Sequence, residues 1–356
     1  MRHLGDILLN LEAAMSDNQH STSLPPHVQL IQMSTAYWVS RVVHVAATLK
    51  LADHLAAGAK TAEELAAPTG THAPSLYRVM RTLASLGLLT EGADQSFSLT
   101  PVGAALQSGA PGSARATVLT LGGEWASRGM DNLLYSVQTG KSGVEKALGM
   151  PVFDWLAEHP AEASLFSETM VGFHGDEPPA IAAAYDFSGF KTVVDVGGAT
   201  GNLLGTVLGT YAQPAGILFD LPHVVAEAPA KIAAKGLTNR ITIEEGSFFE
   251  HVPVGGDAYL LSHIIHDWSE EQCLTILANC KRAMNPAGRI LIVEMVLPTG
   301  DTPHPGKMLD MMMLVGPGGQ ERTEAEYGVL LAKAGFQLNR VIPTQSAVSI
   351  VEASLA

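Results

Sequence analysis

From Lys191 onward, short apolar segments alternate with amphipathic ones, and this alternation limits the possible folds more than any other feature of the 356-residue chain. The apolar segments cover residues 192–196, 216–219, 241–245, 258–262 and 289–293. Strands separated by helices do not form hairpins with one another. They line up in parallel, and the crossover helices cover both faces of the sheet. Such sheets take their ligands at the carboxyl ends of the strands. Function is therefore to be sought in the residues that follow each segment.

The first segment, Val193-Val194-Asp195-Val196, runs into Gly197-Gly198-Ala199-Thr200-Gly201. A turn of this composition lets a ligand approach the backbone and points helix N-terminal amides at it. It is not a dinucleotide fingerprint, which needs glycine where Ala199 and Asn202 stand, and no Gly-Lys-Ser/Thr follows to make a phosphate loop. With Asp195 at the strand end, the turn suits a ligand that carries an amine and lacks phosphate. The second segment ends at Asp220, followed by Leu221-Pro222. An acid there can accept hydrogen bonds from two ribose hydroxyls. It can equally cap a helix opening near Pro222. Ser247 and Phe248 follow the third segment. They can meet the amine and the face of a purine, although adjacent aromatics also suit a core.

Ser262 closes the fourth segment, and His263-Ile264-Ile265-His266-Asp267-Trp268 follows. The chain has 13 histidines, so a single one means little. His266, however, falls three residues before a capping sequence, Ser269-Glu270-Glu271-Gln272, which holds it at the mouth of the expected cleft. A neutral imidazole there takes a proton near neutral pH. His263 points elsewhere if the backbone is still extended, and Asp267 reads as a cap or turn former. Glu294 follows the fifth segment, and Glu321 lies in Gly318-Gly319-Gln320-Glu321-Arg322-Thr323. Two such carboxylates can orient His266 and stabilise its imidazolium. Glu321 can equally pair with Arg322.

The preceding part of the chain has a different texture. Residues 33–57 place Tyr37, Trp38, Val42, Val45, Leu49 and Leu51 near a 3.6-residue period, which predicts one helix. Thr61-Ala62-Glu63-Glu64 is a capping box that opens a second helix. Pro74 opens a third, with Leu76, Val79, Met80 and Leu83 on one face. Leu89 and Phe97 to Leu99 flank a polar turn and read as a hairpin. Helix, helix and hairpin make a winged-helix arrangement. It suits DNA poorly, because residues 1–110 hold six Lys and Arg against eight Asp and Glu, and the chain carries a net charge of −14. The first twenty or so residues read as an arm or short helix. Residues from about 113 to 185 read as all-helical, with Pro178-Pro179 and Gly189 at the boundary. The expected divisions are 1–110, 111–185 and 186–356.

No apolar run reaches the roughly 18 residues of a membrane helix, and no secretion signal is evident. Cys273 and Cys280 share a helix face but cannot bond within it, and two thiols make no metal set. The chain reads as a cytoplasmic protein with reduced thiols and no metal, nucleic-acid or membrane partner.

The motifs at 193–201, 219–224, 246–249, 266–269, 292–294 and 318–323, in that order, are similar to those of S-adenosylmethionine-dependent O-methyltransferases of the caffeate/flavonoid type, in their bacterial natural-product branch. The resemblance spans nearly the whole chain. It implies a Rossmann-like doubly wound α/β catalytic domain, a winged-helix N-terminal domain that makes a homodimer, and a place in secondary metabolism such as antibiotic biosynthesis. It implies that Asp195, Gly197, Gly201, Asp220, Leu221, Ser247, Phe248 and Ser262 contact S-adenosylmethionine. His266 would be the general base on the acceptor hydroxyl, flanked by Glu294 and Glu321. Asp267, Trp268, Met308 and Met312 would line the acceptor pocket; read alone, the methionines suit a core equally well. Plant members carry Asp where Ser247 stands, Lys at Ser262 and Asn at Gly316, so the acceptor is not carried over.

The expected chemistry is an in-line methyl transfer to a hydroxyl of an aromatic or polyketide-like molecule. A phenol asks less of an imidazole base than an aliphatic alcohol does. Two alternatives remain at this point. The same fold can use the bound cofactor without methyl transfer, in decarboxylative hydroxylation or pericyclic reactions. A winged-helix DNA regulator is the other.

Overall fold

The structure is a computed structural model and describes residues 24–356; the arm expected at the N-terminus lies outside them. The described residues divide into two compact units, one of residues 24–128 and 152–173, the other of 129–151 and 174–356. The helical stretch expected over 111–185 is thus shared between the units.

In the first unit, α1 (Pro26–Thr48) and α2 (Leu51–Leu55) replace the single helix expected over 33–57. Lys50 stands between them at φ 52, a left-handed conformation that ends a helix. The periodicity of α1 also misleads about burial: Tyr37 and Trp38 are 64% and 62% exposed, and only Ala46 and Ala47 are buried. The capping box forms as the sequence predicts. The Thr61 hydroxyl accepts the Glu64 N–H at 3.3 Å, the Glu64 carboxylate accepts the Thr61 N–H at 2.7 Å, and α3 (Ala62–Thr69) follows. Next come α4 (Ala73–Ser85) and the antiparallel pair β1 (Leu89–Glu91) and β2 (Phe97–Leu99). Leu51, Leu55, Leu65, Leu76, Met80, Leu83 and Phe97 form one buried cluster. Full burial of such side chains contributes about 1.5–3 kcal/mol each. The chain continues through α5 (Pro101–Ala104), α6 (Arg115–Leu121) and α7 (Glu124–Asp131), passes into the second unit for α8 (Leu133–Thr139) and α9 (Gly143–Leu148), and returns for α10 (Val152–Glu158) and α11 (Pro160–Phe173). Within the first unit, α6 and α11 are joined by the hydroxyls of Thr120 and Thr169 at 2.8 Å.

In the second unit, Pro178 and Pro179 lie in the first turn of α12 (Glu177–Ala184), where no N–H is needed. The proline pair opens a helix there; it does not mark a boundary. The sheet then builds up through β3 (Thr192–Val196), α13 (Asn202–Thr210), β4 (Ala215–Asp220), α14 (Ala228–Ala234), β5 (Ile241–Glu245), β6 (Ala258–Ser262), α15 (Glu270–Ala283) and β7 (Arg289–Glu294). After it come β8 (Val296–Leu297), α16 (Pro305–Val315), β9 (Arg322–Thr323), α17 (Glu324–Lys333), β10 (Phe336–Pro343) and β11 (Ser349–Leu355). The seven strands stand in the order β10-β11-β7-β6-β3-β4-β5. Strands β3 to β7 pair in parallel, and β11 pairs antiparallel to both β7 and β10. The order reverses between β3 and β6, the switch point where a doubly wound sheet opens its ligand crevice.

Strand alternation sends side chains to opposite faces. Val193, Leu218, Leu260 and Leu291 pack under α12, α13 and α14. Val194, Val196, Phe219, Tyr259 and Ile292 pack under α15 and α17, where Cys273 and Cys280 are buried as free thiols. No helix among the described residues is long and apolar enough to cross a membrane.

Candidate active site

The loop after β3 is folded as its glycines require. Gly197 and Gly201 have φ of 73° and 75°, and Ala199 takes the same left-handed region at 49°. A Cβ on Gly198 would come within 2.5 Å of the Asp195 carboxyl carbon and 2.6 Å of Leu218, so the backbone lies directly on these side chains. Asp195 is therefore beneath the turn, not at its mouth. It is 1% exposed, and its Oδ2 has no hydrogen-bond partner among the described residues. Burial pushes it up to about 7, the nearby Asp220 adding and the Leu204 N–H opposing.

Asp220 at the end of β4 ties this turn to its neighbour. Its Oδ2 accepts the Ala199 N–H at 2.9 Å and its Oδ1 accepts the Leu221 N–H at 2.7 Å. The next helix begins only at residue 225, so capping does not account for this side chain. Past β5, the Ser247 hydroxyl accepts the Phe249 N–H at 3.3 Å. The Phe248 ring approaches Gly197, and Asn279 of α15 donates to the Phe248 carbonyl at 2.7 Å. Trp268 meets both phenylalanines edge to face, at 5.9 Å from Phe248 and 4.8 Å from Phe249. Ser262 ends β6 half-buried, with its backbone paired to Val293.

His266 is where the structure concentrates charge. Its Nδ1 lies 2.6 Å from Glu321 Oε1, its backbone N–H donates to Glu294 Oε1 at 3.0 Å, and its Nε2 is 3.7 Å from Asp267 Oδ1. Imidazole, Glu294 and Glu321 are all buried. Burial alone would lower the imidazole; Asp267, Glu321 and Glu294 outweigh it and raise His266 to about 10. Burial raises Glu321 as well, so both shifts favour keeping one proton within the pair. Arg322 donates to the carbonyls of Ile265 and Gln320 and leaves Glu321 to the imidazole.

The loop carrying Glu321 is fixed on three sides. The Gln320 N–H donates to the His266 carbonyl at 2.8 Å, and Gly319 lies so close to that carbonyl that a Cβ would collide with it. The Glu321 N–H donates to Asp310 of α16 at 2.8 Å. The Ser142 hydroxyl, at the start of α9, donates to the Gly316 carbonyl at 2.6 Å. On α16, Met308 is exposed and Met312 half-buried.

His263 departs from the extended backbone. At φ 55 its ring turns back to 5.3 Å from that of His266. Its Nε2 is 2.8 Å from Glu177 Oε2, and His174 Nδ1 is 3.1 Å from the same oxygen. Glu177 and His174 belong to no motif, and Glu177 precedes β3 by 15 residues, so nothing along the chain points to them here.

A family model described as an O-methyltransferase domain matches residues 131–337, and one described as an O-methyltransferase dimerisation domain matches 31–109. The chain belongs to the O-methyltransferase family. The phenazine O-methyltransferase PhzM of Lysobacter antibioticus is 45% identical to this methyltransferase over 339 residues, 95% of this chain and 99% of that one. The crystal structure of LaPhzM matches with a TM-score of 0.87 at 45% identity, covering 94% of this chain and 100% of the other. NcsB1 of neocarzinostatin biosynthesis, solved with S-adenosylmethionine and 2-hydroxy-5-methyl naphthoic acid, matches with a TM-score of 0.80 at 33% identity, covering 89% and 96%.

The methyltransferase uses S-adenosylmethionine. Its turn fits that cofactor. Gly197 and Gly201 supply the left-handed backbone that the turn needs, and the carboxylate of Asp220 lies beside it, accepting the Ala199 N–H. No Lys or Arg lies in 196–202 to receive a phosphate.

Proposed function

We propose that this enzyme methylates a phenolic hydroxyl on a fused or substituted aromatic molecule, with His266 as the general base, and that it acts as a homodimer. The observation that carries the reading is the contact between His266 Nδ1 and Glu321 at 2.6 Å. A carboxylate on Nδ1 fixes the tautomer and leaves Nε2 to receive a proton. The acceptor class follows the relatives, one a phenazine O-methyltransferase and the other solved with a naphthoic acid.

When bound, S-adenosylmethionine supplies the electrophilic methyl group. The chain's own residues position and deprotonate. The turn at 197–201 and Asp220 hold the nucleoside, with Leu221, Ser247, Phe248 and Ser262 along it. Asp195 acts from beneath, shaping the turn. Glu321 holds the imidazole and Glu294 the backbone behind it. Asp267, Glu321 and Glu294 hold a proton on His266, and a base requires the neutral imidazole, which a cationic ligand bound beside it would favour. Met308, Met312, Asp267 and Trp268 are assigned to the acceptor side. The exposed apolar row Leu30, Ile31, Met33, Tyr37 and Trp38 on α1 supports the homodimer, since a lone chain has little reason to keep such a row in water.

The test is mass spectrometry of products from hydroxyphenazines, naphthols and hydroxybenzoates with methyl-labelled cofactor. A labelled product heavier by one CH₂, made in step with S-adenosylhomocysteine, is expected. Oxygen insertion or loss of CO₂ instead would favour the alternative use of the same fold. Turnover of His266→Ala equal to wild type would remove the base assignment.

A further inference from the structure

We propose that His263 and Glu177, with His174 behind them, form a second polar subsite beside His266 that accepts a hydrogen bond from a hydroxyl or amino group next to the hydroxyl being methylated. This rests on the reading of His266 as the base and adds the class of acceptor, an aromatic with two neighbouring donors.

Two carboxylate–imidazole pairs stand side by side. His266 commits Nδ1 to Glu321 and keeps Nε2; His263 commits Nε2 to Glu177 and keeps Nδ1. The rings are 5.3 Å apart, with their planes inclined at 51°. Because Nε2 of His263 faces a carboxylate, it carries the proton, and Nδ1 is left with a lone pair. That Nδ1 is buried and has no hydrogen-bond partner among the described residues. A buried acceptor without a partner is costly, which makes it a place where a ligand donor is rewarded.

Three further observations point the same way. His263 holds φ 55 although it has a side chain, and this conformation turns its ring toward His266. The His174 ring lies 3.8 Å from that of His263, and both imidazoles approach the same oxygen of Glu177. Burial lowers His263 to about 4, so it is neutral at pH 7, whereas the two imidazoles hold Glu177 down near 2 against the effect of its burial. The subsite therefore offers a lone pair backed by an anion. It takes O–H or N–H groups and gives nothing to an acceptor oxygen that lacks a proton.

The test uses matched pairs, 4-hydroxybenzoate with 3,4-dihydroxybenzoate and 2-naphthol with 2,3-dihydroxynaphthalene. Each is titrated calorimetrically into the full chain saturated with S-adenosylhomocysteine, then offered as acceptor with labelled cofactor. The member with the neighbouring donor is expected to bind at least about tenfold tighter, the scale of one buried hydrogen bond to a fixed partner. That ratio should fall toward one in Glu177→Gln and in His263→Phe, which keeps an aromatic ring but no lone pair. S-adenosylhomocysteine affinity reports whether each variant is folded, and the wild-type ratio stands without them. Equal affinities within each pair, no binding by any pair, or ratios unchanged in the variants would overturn the proposal. So would turnover abolished by a chelator and restored by Zn²⁺, because the three side chains would then be metal ligands. Binding ratios as expected with no labelled product from any acceptor would instead defeat the methyl-transfer reading.

Discussion

Glu294 grips His266 through the backbone, accepting its N–H at 3.0 Å with one oxygen while the other takes the hydroxyl of Tyr327. The ring is left to Glu321. Two carboxylates that look equivalent as strand-end and loop acids thus have different tasks. Their variants should differ accordingly.

Glu321→Gln removes the charge that fixes the tautomer and stabilises the imidazolium. A loss of about 10²–10⁴ in kcat is expected, with cofactor affinity little changed. Steady-state kinetics with calorimetry of S-adenosylhomocysteine would check it, and an unchanged kcat would contradict the assignment.

Glu294→Ala leaves two buried donors unpaired, the His266 N–H and the Tyr327 hydroxyl. The expected cost is about 2–5 kcal/mol of unfolding free energy, whereas Tyr327→Phe, which removes one donor only, should cost about 1–2 kcal/mol. Urea unfolding of both variants gives the comparison.

At Gly198 there is no space for a methyl group, because Asp195 and Leu218 occupy it at 2.5 and 2.6 Å. Gly198→Ala should displace the turn and weaken cofactor binding by at least about tenfold. Asp220→Ala, losing the hydrogen bond that holds the turn at the Ala199 N–H and the carboxylate proposed to receive the ribose, should weaken it by roughly 10–100-fold. Both are read by calorimetry.

The pH dependence of the cofactor-free protein follows from His266. Its folded value, about 10, lies above its ordinary 6.5, so the stabilisation it brings is fully present below pH 6.5 and is lost as pH rises through 10. Thermal stability should therefore fall between pH 7 and 10, and His266→Gln should flatten that slope. A wild-type slope equal to that of the variant would mean that the imidazole is not charged in the folded protein.

On α1, Tyr37→Glu with Trp38→Glu should shift the chain to a monomer in sedimentation, without loss of helix content. Continued dimerisation would remove this face from the interface.

Much of this enzyme was legible along the chain. The turn at 197–201 and the capping boxes at Thr61 and Ser269 rest on interactions within a few residues, and the five parallel strands show as apolar runs alternating with helices, a pattern the chain already contains. The last two strands were not legible. β10 alternates weakly between buried and exposed positions, and β11 pairs with β7 across more than fifty residues of chain. The helix pattern of α1 showed an apolar stripe but could not say whether this chain or another covers it.

The site divides in the same way. Sequence alone determined which groups end each strand, because a parallel sheet brings those ends to one edge whatever the loops do. Only the tertiary structure decided that Asp195 lies under the turn, that Glu294 holds backbone while Glu321 holds ring, and that a left-handed residue at 263 brings Glu177 and a second imidazole beside the first. The contacts of Glu294, Glu321 and Glu177 join residues 28 to 86 positions apart, and their geometry is set by how helices and loops pack over the strand ends.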